Sequence, residues 1–299
     1  MSPPRPRVSI GMPVYDGERY LAATLDSLLA QTFDDFELII SDNASADRTE
    51  QICREYAARD TRIRYSRNPT NLGAARNYNR VFELSSAPYF KWAAADDLCA
   101  PEYLARCVEV LDREPGAVLA YPKTQIIDEH GQILSVYDDR MHVQSPRASE
   151  RFRHLLRALG ECNAVFGLIR SDVLGRTPLI GRYIGSDICL LAELSLYGTF
   201  WEVPDFLFFR RNHPFASSSN RSVEKQMEFF DPTDKQLIRL TEWRHLFEHA
   251  RSIWRVPMSL SEKTRAGAFV LRVAIWSRQK LASELWFATQ RFAQKLFLS

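Results

Sequence analysis

The stretch VSIGMPVYDGERYLAATLDSLLAQTFDDFELIISDN, residues 8–43, contains the pattern that decides the fold. Its first residues, 8–12, form an apolar run typical of a buried strand, and Pro13 ends that run. Residues 18–31 then place leucines at helical spacing, and residues 36–43 form a second buried-strand run that ends in polar side chains. A strand, a helix and a second strand in this order predict one unit of an alternating α/β fold.

The same alternation continues to residue 121. The pattern predicts helices at residues 47–58, 74–83 and 101–113, and strands at residues 63–65, 89–94 and 118–121. This alternation predicts a three-layer α/β architecture around a mostly parallel sheet. Ligands bind such sheets at the carboxyl ends of the strands, and two acidic sites fall there, Asp42 and the pair Asp96–Asp97.

Downstream of residue 121 the pattern is less regular. After the polar stretch SSSNRS, residues 217–222, it is almost entirely helical. We therefore predict an α/β domain at 1–216, with halves at about 7–121 and about 122–216, and a helical C-terminal extension at 217–299. Within the second half, the pattern predicts a hairpin from strands at 123–127 and 133–136, helices at 149–159 and 187–197, and strands at 200–203 and 206–210 separated by Pro204 and Asp205.

Composition narrows the class of protein. Of 299 residues, 45% are apolar and 25% are charged, as in an ordinary globular protein with a full core. Five scattered cysteines without a C-x-x-C pair argue against a disulfide framework or a thiolate zinc site and favour a reducing compartment. The first residues lack the apolar segment of a secretory signal, and basic residues interrupt the apolar stretch 266–288. We therefore expect a cytoplasmic protein without a spanning helix.

Charge is distributed unevenly along the chain. The net charge is only +2, but residues 244–299 carry ten Lys and Arg against three Glu. In one interpretation the last helix packs on the rest of the protein or on a second subunit, as a homodimer. In the other it lies on an anionic membrane surface, which would place the protein at the inner face of the membrane. The residues that recur on one face of that helix are Leu281, Leu285, Ala288, Phe292 and Leu296.

Two adjacent carboxylates end an apolar run in FKWAAADDLC, residues 90–99. Asp96 and Asp97 repel each other, and they lose hydration when they are buried. A divalent cation bound to the phosphates of a nucleotide would remove that repulsion, and Mg²⁺ or Mn²⁺ binds in this way through one or two carboxylates. The plainer interpretation is a solvated turn that caps the next helix.

The carboxylate pair belongs to an ordered series of motifs. The series consists of VSIGMPVYDGERYLAATLDSLLAQT at 8–32, LIISDNASADRT at 38–49, NPTNLGAARN at 68–77 and AADD at 94–97. In this order the motifs resemble glycosyltransferase family 2 over roughly residues 7–215. The resemblance implies the GT-A fold, which is Rossmann-like, and an inverting transfer of a sugar from a nucleotide diphosphate sugar to a hydroxyl group. The Q-x-x-R-W segment of processive synthases is missing, so we expect single additions.

The resemblance also implies a donor-binding set. Pro13 and Tyr15 would lie against the nucleotide base, and Glu18 occupies the acidic position of the same motif. Asp42 would accept the imide N–H of the base, which favours uracil or thymine, and we expect a UDP-linked sugar. Arg76 matches a residue near the nucleotide. Taken singly, Tyr15 could equally be a core aromatic and Asp42 a helix cap.

At the sugar end, the resemblance implies that Asp96 faces the ribose or the sugar and that Asp97 binds Mn²⁺ or Mg²⁺. In RRNHPFASS, residues 210–218, Arg211 and His213 match a segment that often supplies a histidine to the metal or the phosphates. A plain loop histidine is the other interpretation of His213.

Asp187, in YIGSDICLLAEL at 183–194, matches the position of the general base, although Ser186 stands before it where the family usually has an acidic residue. Simple helix capping is the alternative for Asp187. The variable segment 122–170 is left for acceptor recognition, and there we single out Asn163 and Phe166.

The expected partners are a nucleotide-sugar donor and a glycan or lipid-linked acceptor of polysaccharide, glycolipid or cell-envelope synthesis, and no nucleic acid. Two other functions stay open. A sugar nucleotidyltransferase would need a Gly-rich phosphate loop with a basic residue, which GMPVYDGERY at 11–20 does not supply. An inactive nucleotide-sugar-binding protein would have no need of Asp42, Asp96, Asp97 and Asp187 together.

Overall fold

The computed structural model of the protein describes residues 5–158, 160–214, 216, 222–233 and 240–297. The side chains of residues 223 and 291–297 are outside the described part, so Phe292 and Leu296 of the predicted apolar face fall there.

The first half of the chain alternates strands and helices as the pattern predicts. Its elements are β1 (Val8–Val14), α1 (Glu18–Leu29), β2 (Phe36–Asp42), α2 (Thr49–Arg59), β3 (Ile63–Arg67), α3 (Ala74–Glu83), β4 (Tyr89–Trp92), β5 (Leu98–Cys99), α4 (Tyr103–Arg113) and β6 (Ala117–Ile127).

The second half begins with a hairpin strand and becomes helical towards its end. Its elements are β7 (Ile133–Tyr137), α5 (Ala148–Ala158), a 3-10 turn (Asn163–Phe166), β8 (Leu168–Arg170), α6 (Ser171–Leu174), α7 (Ser186–Tyr197), β9 (Thr199–Arg211), α8 (Val223–Phe230), α9 (Thr241–Arg255), α10 (Leu260–Trp276) and α11 (Arg278–Phe297).

One nine-stranded sheet crosses the molecule in the order β3-β2-β1-β4-β8-β6-β9-β5, with β7 paired to β6. The strands β1 to β4 pair in parallel, and β6 pairs in parallel with β9. The short strand β8 joins these two parts through antiparallel pairs with β4 and β6. Because the parallel pairs contain most of the paired residues, the structure confirms an α/β fold with a mostly parallel sheet.

Apolar side chains fill both faces of the sheet. Val8 and Ile10 of β1 pack on one face with Leu21 of α1, whereas Phe90 of β4 packs on the other face with Val81 of α3. Gly11 lies on this second face, where a Cβ atom would come within 2.7 Å of both Phe90 and Val81. Only a glycine lets α3 and the Phe90 ring approach the strand so closely.

Two strand boundaries differ from the pattern. The predicted strands 200–203 and 206–210 form the single strand β9, although they contain Pro204. The pairing of β6 with β9 is irregular there, since Val203 lies opposite Pro122 and Phe206 lies opposite Lys123. Proline lacks an N–H for the ladder and is tolerated at such a bulge. The strand predicted at 89–94 ends at Trp92, so Asp96 and Asp97 follow a short loop.

The C-terminal helices share the core of the α/β domain. Ile253 of α9 and Phe269 of α10 pack in one apolar cluster with Phe152 of α5 and Leu191 of α7.

None of the described helices is both long and apolar enough to span a membrane.

A buried ion pair connects α9 to α7. Glu193, which is 1% exposed, lies in the middle of α7 and pairs with Arg255 near the end of α9. The Ser252 hydroxyl donates a second hydrogen bond to the same carboxylate, at 2.7 Å.

We expect Arg255→Ala to lower the free energy of unfolding by about 3 kcal/mol, because the Glu193 carboxylate would stay buried without its cation. Urea unfolding followed by circular dichroism measures this change. The matched control is Arg251→Ala on the same helix, whose guanidinium is exposed and lies 3.8 Å from Glu248. The control should cost less than about 0.5 kcal/mol. Equal effects of the two substitutions would show that the pair does not hold α9 in place.

Candidate active site

A cavity of about 620 Å³ opens at the carboxyl ends of β1, β4 and β9. Its volume is in the range of sites for small molecules and cofactors. The wall residues are Pro13 to Gly17, Arg19 and Tyr20 at the end of β1 and the start of α1, Asn71, Ala74, Asn77 and Tyr78 around the start of α3, Ala94 to Asp97 after β4, Arg210, Arg211 and His213 at the end of β9, and residues of α8.

The Asp96–Asp97 pair forms the floor of the cavity and finds its partners on β9. Asp97 is only 7% exposed, and its Oδ1 accepts a hydrogen bond from the backbone N–H of Arg211 at 2.8 Å. Oδ2 of Asp96 lies 2.9 Å from Nε2 of His213. The Arg211 guanidinium donates to the carbonyl oxygens of Asp96 at 2.8 Å and of Asp128 at 3.0 Å. The two carboxylates are therefore held by one segment of β9 and the loop after it.

Burial and, after it, the neighbouring charge of Asp96 raise the pKa of the Asp97 carboxyl to about 7, against the opposing effects of the Arg211 N–H and of Arg210 and Lys91. A cation bound at the pair would relieve the electrostatic cause of this shift.

The donor groups at the pair fit a cation that is shared with a bound diphosphate. Asp97 supplies a carboxylate, and His213 supplies an imidazole in the same cavity, but His213 Nε2 faces Asp96. Across the described residues, no group of three or more His, Cys, Asp or Glu side chains is arranged to hold a metal ion. Mg²⁺ commonly binds through one or two protein ligands and takes the remainder from substrate phosphates and water.

Tyr15 and Pro13 also line the cavity, and Tyr15 is 52% exposed, so its ring is accessible to a stacking partner. Glu18 is not among the described residues that line the cavity. Its Oε2 accepts the backbone N–H of Arg48 at 2.9 Å, and Oδ2 of Asp47 accepts the Glu18 N–H at 3.0 Å. Glu18 thus joins the start of α1 to the loop before α2.

The Asp42 carboxylate is fully buried, and both of its oxygens already accept hydrogen bonds. Its Oδ1 accepts the Ser45 N–H at 2.9 Å, and its Oδ2 accepts the Tyr65 hydroxyl at 2.9 Å and the Arg67 guanidinium at 3.1 Å. Asp42 is also absent from the described lining of the cavity. A contact between this carboxylate and a base therefore stays a prediction.

The neighbouring Asn43 lies in the cavity wall instead, and the motifs did not single it out. Its Nδ2 donates to Oδ1 of Asn71 at 2.7 Å, and its Oδ1 accepts the Leu72 N–H at 2.9 Å and the Asn68 amide at 3.2 Å. These bonds hold the loop before α3 against the end of β2. The asparagines of NPTNLGAARN were the available signal, but local pattern could not show which of them meet.

The charges of the carboxylate pair and of Asp187 all act on Tyr78. Burial raises the pKa of the Tyr78 hydroxyl, and the charges of Asp96, Asp97 and Asp187 also raise it. Tyr78 lines the cavity, whereas Asp187 is not among the described lining residues. Arg76, two residues before Tyr78, is exposed and also lies outside the lining.

Asp187 lies in the first turn of α7, as the pattern predicts. Burial raises the pKa of its carboxyl above the ordinary value, against the opposing effect of backbone N–H groups at the helix start. Gly185 precedes the helix with φ +77°, and a Cβ there would come within 2.7 Å of the His245 ring on α9. A glycine is therefore required both for the turn and for the approach of α9.

The turn at residues 163–166 reaches the cavity through two contacts. Arg210, which lines the cavity, donates to Oδ1 of Asn163 at 3.0 Å and pairs with Glu161 at 2.7 Å. Phe166 lines the cavity directly, and its carbonyl accepts the buried Lys91 ammonium at 2.8 Å. Asn163 and Phe166 therefore lie beside the carboxylate pair, and Arg210, which the motifs did not single out, connects them.

Comparison with known proteins agrees with this geometry. Residues 9–176 match the family model described as Glycosyl transferase family 2. A curated relative from Methanocaldococcus jannaschii, described as uncharacterized glycosyltransferase MJ1057, is 30% identical over 135 residues, which are 44% of this chain and 47% of the relative. The chain spans about half the length of the curated relatives it matches.

Solved structures show the same fold. S. aureus TarS, residues 1–349 in complex with UDP, has a TM-score of 0.65 at 17% identity and covers 91% of this chain and 73% of its own. The mannosyltransferase PcManGT from Pyrobaculum calidifontis, in complex with GDP-Man and Mn²⁺, has a TM-score of 0.55 at 17% identity over 96% of this chain and 76% of its own. These likenesses confirm the GT-A fold.

Asp139 offers a test of the packing behind the 163–166 turn. It is 3% exposed, and its Oδ1 accepts the Asn163 N–H at 2.9 Å. Burial raises the pKa of the Asp139 carboxyl to about 6. Because this pKa is higher in the folded than in the unfolded chain, the stability that protonated Asp139 contributes is present below about pH 4 and is lost as pH rises through about 6.

We expect Asp139→Asn, which stays neutral, to gain stability relative to the wild type by roughly 1–3 kcal/mol between about pH 4.5 and about pH 7.5. Urea unfolding across this range measures the difference. The matched control, Asp138→Asn, changes the neighbouring exposed carboxyl and should show no such trend. A difference for Asp139→Asn that is constant with pH would contradict the assignment.

Proposed function

Because the chain belongs to glycosyl transferase family 2, we propose that its cavity binds a nucleotide diphosphate sugar, UDP-linked, and that the protein transfers the sugar with inversion to a hydroxyl acceptor. The observation that carries this proposal is a 620 Å³ cavity lined by Asp96, by the buried Asp97 and by the exposed aromatic ring of Tyr15. The solved structures of TarS with UDP and with UDP-GlcNAc support a uridine donor.

The nucleotide base lies against Tyr15 in the cavity. The Tyr15 ring provides a stacking face, and Pro13 lies beside it in the wall. Asn43, directly after β2, lies in the cavity wall, whereas the Asp42 carboxylate is buried and accepts hydrogen bonds from Ser45, Tyr65 and Arg67. We therefore assign to Asp42 the role of holding the end of β2 and to Asn43 the position nearest the base.

The diphosphate lies over the carboxylate pair. When bound there by Asp97 and His213, a divalent cation would neutralise the charge that the leaving diphosphate gathers, and the Mn²⁺ complex of PcManGT supports such a cation. Lys225 of α8 and Arg210 also line the cavity, and their charges favour the same diphosphate. Asp96, hydrogen bonded to His213, faces the ribose or the sugar.

Asp187 acts as the general base. The acceptor oxygen forms a bond to the anomeric carbon as the bond between that carbon and the diphosphate oxygen breaks, and the hydroxyl proton passes to Asp187. The diphosphate leaves with the bonding electron pair, so a single displacement inverts the anomeric centre. The raised pKa of the Asp187 carboxyl favours its uptake of a proton.

The acceptor approaches from the 163–166 turn. Asn163 and Phe166 lie beside Arg210, between the cavity wall and the region of Asp187. We assign to this side a glycan or lipid-linked acceptor of cell-envelope or polysaccharide synthesis, as the family resemblance implies.

A thermal-shift panel of nucleotides with Mn²⁺ tests donor binding. We expect UDP and UDP-sugars to raise the melting temperature, since a ligand that binds only the folded state stabilises it by mass action. Asp97→Asn should remove the Mn²⁺-dependent part of the shift while the unliganded protein melts at or above the wild-type temperature, because one of two repelling carboxylates is neutralised.

Asp205→Asn, at an exposed carboxyl of β9, is the matched control and should keep the full shift. A panel in which no nucleotide shifts the melting temperature would overturn the donor. A Mn²⁺-dependent shift that survives in Asp97→Asn would overturn only the metal assignment.

We expect Asp187→Asn to lower the release of nucleotide from the donor by roughly a hundredfold or more, because the amide cannot accept a proton, with donor affinity unchanged. The matched control is Asp172→Asn, since Asp172 follows a serine in the first turn of α6 as Asp187 does in α7. Its side chain is 65% exposed and should be dispensable. If Asp187→Asn turns over the donor at the wild-type rate, the general base is a different residue. If the wild type binds the donor but does not turn it over, the protein is an inactive binding protein.

A further inference from the structure

The helices α9 and α10 expose large apolar side chains for which the proposed chemistry has no use. On α9, Trp243, Phe247 and Trp254 recur at steps of four and seven residues and are 40%, 59% and 71% exposed. On α10, Leu271 and Ile275 are 68% and 61% exposed. These five residues define the outer face. Exposed apolar residues in such helical register form stripes, and stripes of this kind mark interaction surfaces.

The outer face lies on the exposed sides of the two helices. The opposite sides of the helices are buried in the core, through Ile253 of α9 and through Phe269 and Val270 of α10. The Lys263 ammonium of α10 lies 5.4 Å from the centroid of the Trp254 ring and donates to the Trp254 carbonyl at 3.0 Å. The end of α9 therefore lies beside the start of α10.

The last helix adds to the same surface but not in the predicted way. Leu281 is 6% exposed and lies against α9, where Trp243 Nε1 donates to its carbonyl at 3.1 Å. Leu285 is 44% exposed, and Trp286 and Phe287 are 63% and 62% exposed. The predicted apolar face of α11 is thus divided between packing and solvent, and the exposed aromatic residues lie beside it.

Positive charge surrounds these apolar side chains. Residues 240–290 contain eight Lys and Arg and four Glu. The acidic groups are engaged within the helices: Glu248 pairs with Arg244, Glu262 with Arg265 and Glu242 with Lys280, while Glu284 accepts the N–H of Glu242 at the start of α9. Arg272 and Arg278 are exposed near Leu271 and Ile275.

From this combination of exposed aromatic residues and net positive charge, we propose that the outer face binds an anionic lipid surface. Four of the six tryptophans of the chain are exposed on these helices, and tryptophan is favoured where an apolar region meets a polar headgroup layer. A second copy of the chain fits this surface less well. A symmetric dimer would bring two positively charged faces together, whereas anionic headgroups complement them.

Co-sedimentation of the full chain with vesicles tests the proposal without any measurement of activity, so its outcome is separate from that of the proposed function. We expect binding to vesicles of phosphatidylglycerol and phosphatidylcholine at about 0.05 M salt, weaker binding at about 0.5 M salt and little binding to phosphatidylcholine alone.

Paired variants separate the apolar and the electrostatic contributions. Trp254→Ser with Ile275→Ser should lower the vesicle partition coefficient at least about tenfold, since both side chains would enter the lipid boundary. Arg272→Gln with Arg278→Gln should lower it about twentyfold on anionic vesicles and leave the weak binding to neutral vesicles unchanged.

Each pair has a matched control elsewhere on the protein. Ile133→Ser with Val136→Ser removes apolar side chains of β7 that are 58% and 62% exposed. Arg54→Gln with Arg59→Gln removes two exposed arginines of α2. Both control pairs should bind anionic vesicles as the wild type does, and all four variants should keep the wild-type melting temperature.

Absence of binding to anionic vesicles would overturn the proposal, and so would equal losses in the test and control variants. A concentration-dependent dimer, measured by light scattering, that Trp254→Ser with Ile275→Ser abolishes while vesicle binding is absent would assign the outer face to a second copy instead.

Discussion

The burial of Asp97 is the constraint on which the rest of the site depends. A carboxylate that is 7% exposed needs a donor, and that donor is the backbone N–H of Arg211, which is 114 residues away in the sequence. The Arg211 side chain adds bonds to Asp96 and to the loop at Asp128 and Glu129. One residue of β9 therefore fixes the end of β4 and the β6–β7 loop, and it joins the two halves of the α/β domain at the cavity.

The cavity exists because the two halves meet at this point. The parallel strands β1 and β4 bring Tyr15 and the carboxylate pair to the same edge of the sheet, as expected for an α/β fold. The second half contributes Arg210, His213 and α8 from the opposite side. A ligand with a flat ring and a strongly anionic group complements these walls, because they contain both aromatic and cationic side chains.

The charged residues of α9 and α10 are arranged differently from those at the cavity. At the cavity, acidic groups are concentrated and buried, and their pKa values rise in consequence, as at Asp97. On α9 and α10 the acidic groups are paired, and exposed arginines surround exposed aromatic residues. The buried Glu193–Arg255 pair holds these helices to the domain, so the outer face is presented on a rigid base.

The sequence by itself determined the alternation of strands and helices, the α/β class and the position of the acidic pair at a strand edge. Hydrophobic periodicity is a local property, and the family motifs occur in order along the chain. Tertiary structure decided what these residues do. Asp42 accepts hydrogen bonds from Tyr65 and Arg67 while Asn43 lies in the cavity wall, and Pro204 is tolerated because the pairing of β6 with β9 shifts its register there. The apolar face predicted on α11 is divided because Leu281 lies against α9, where its carbonyl accepts a hydrogen bond from Trp243 Nε1. Each of these outcomes depends on contacts between residues far apart in the sequence, which no local pattern contains.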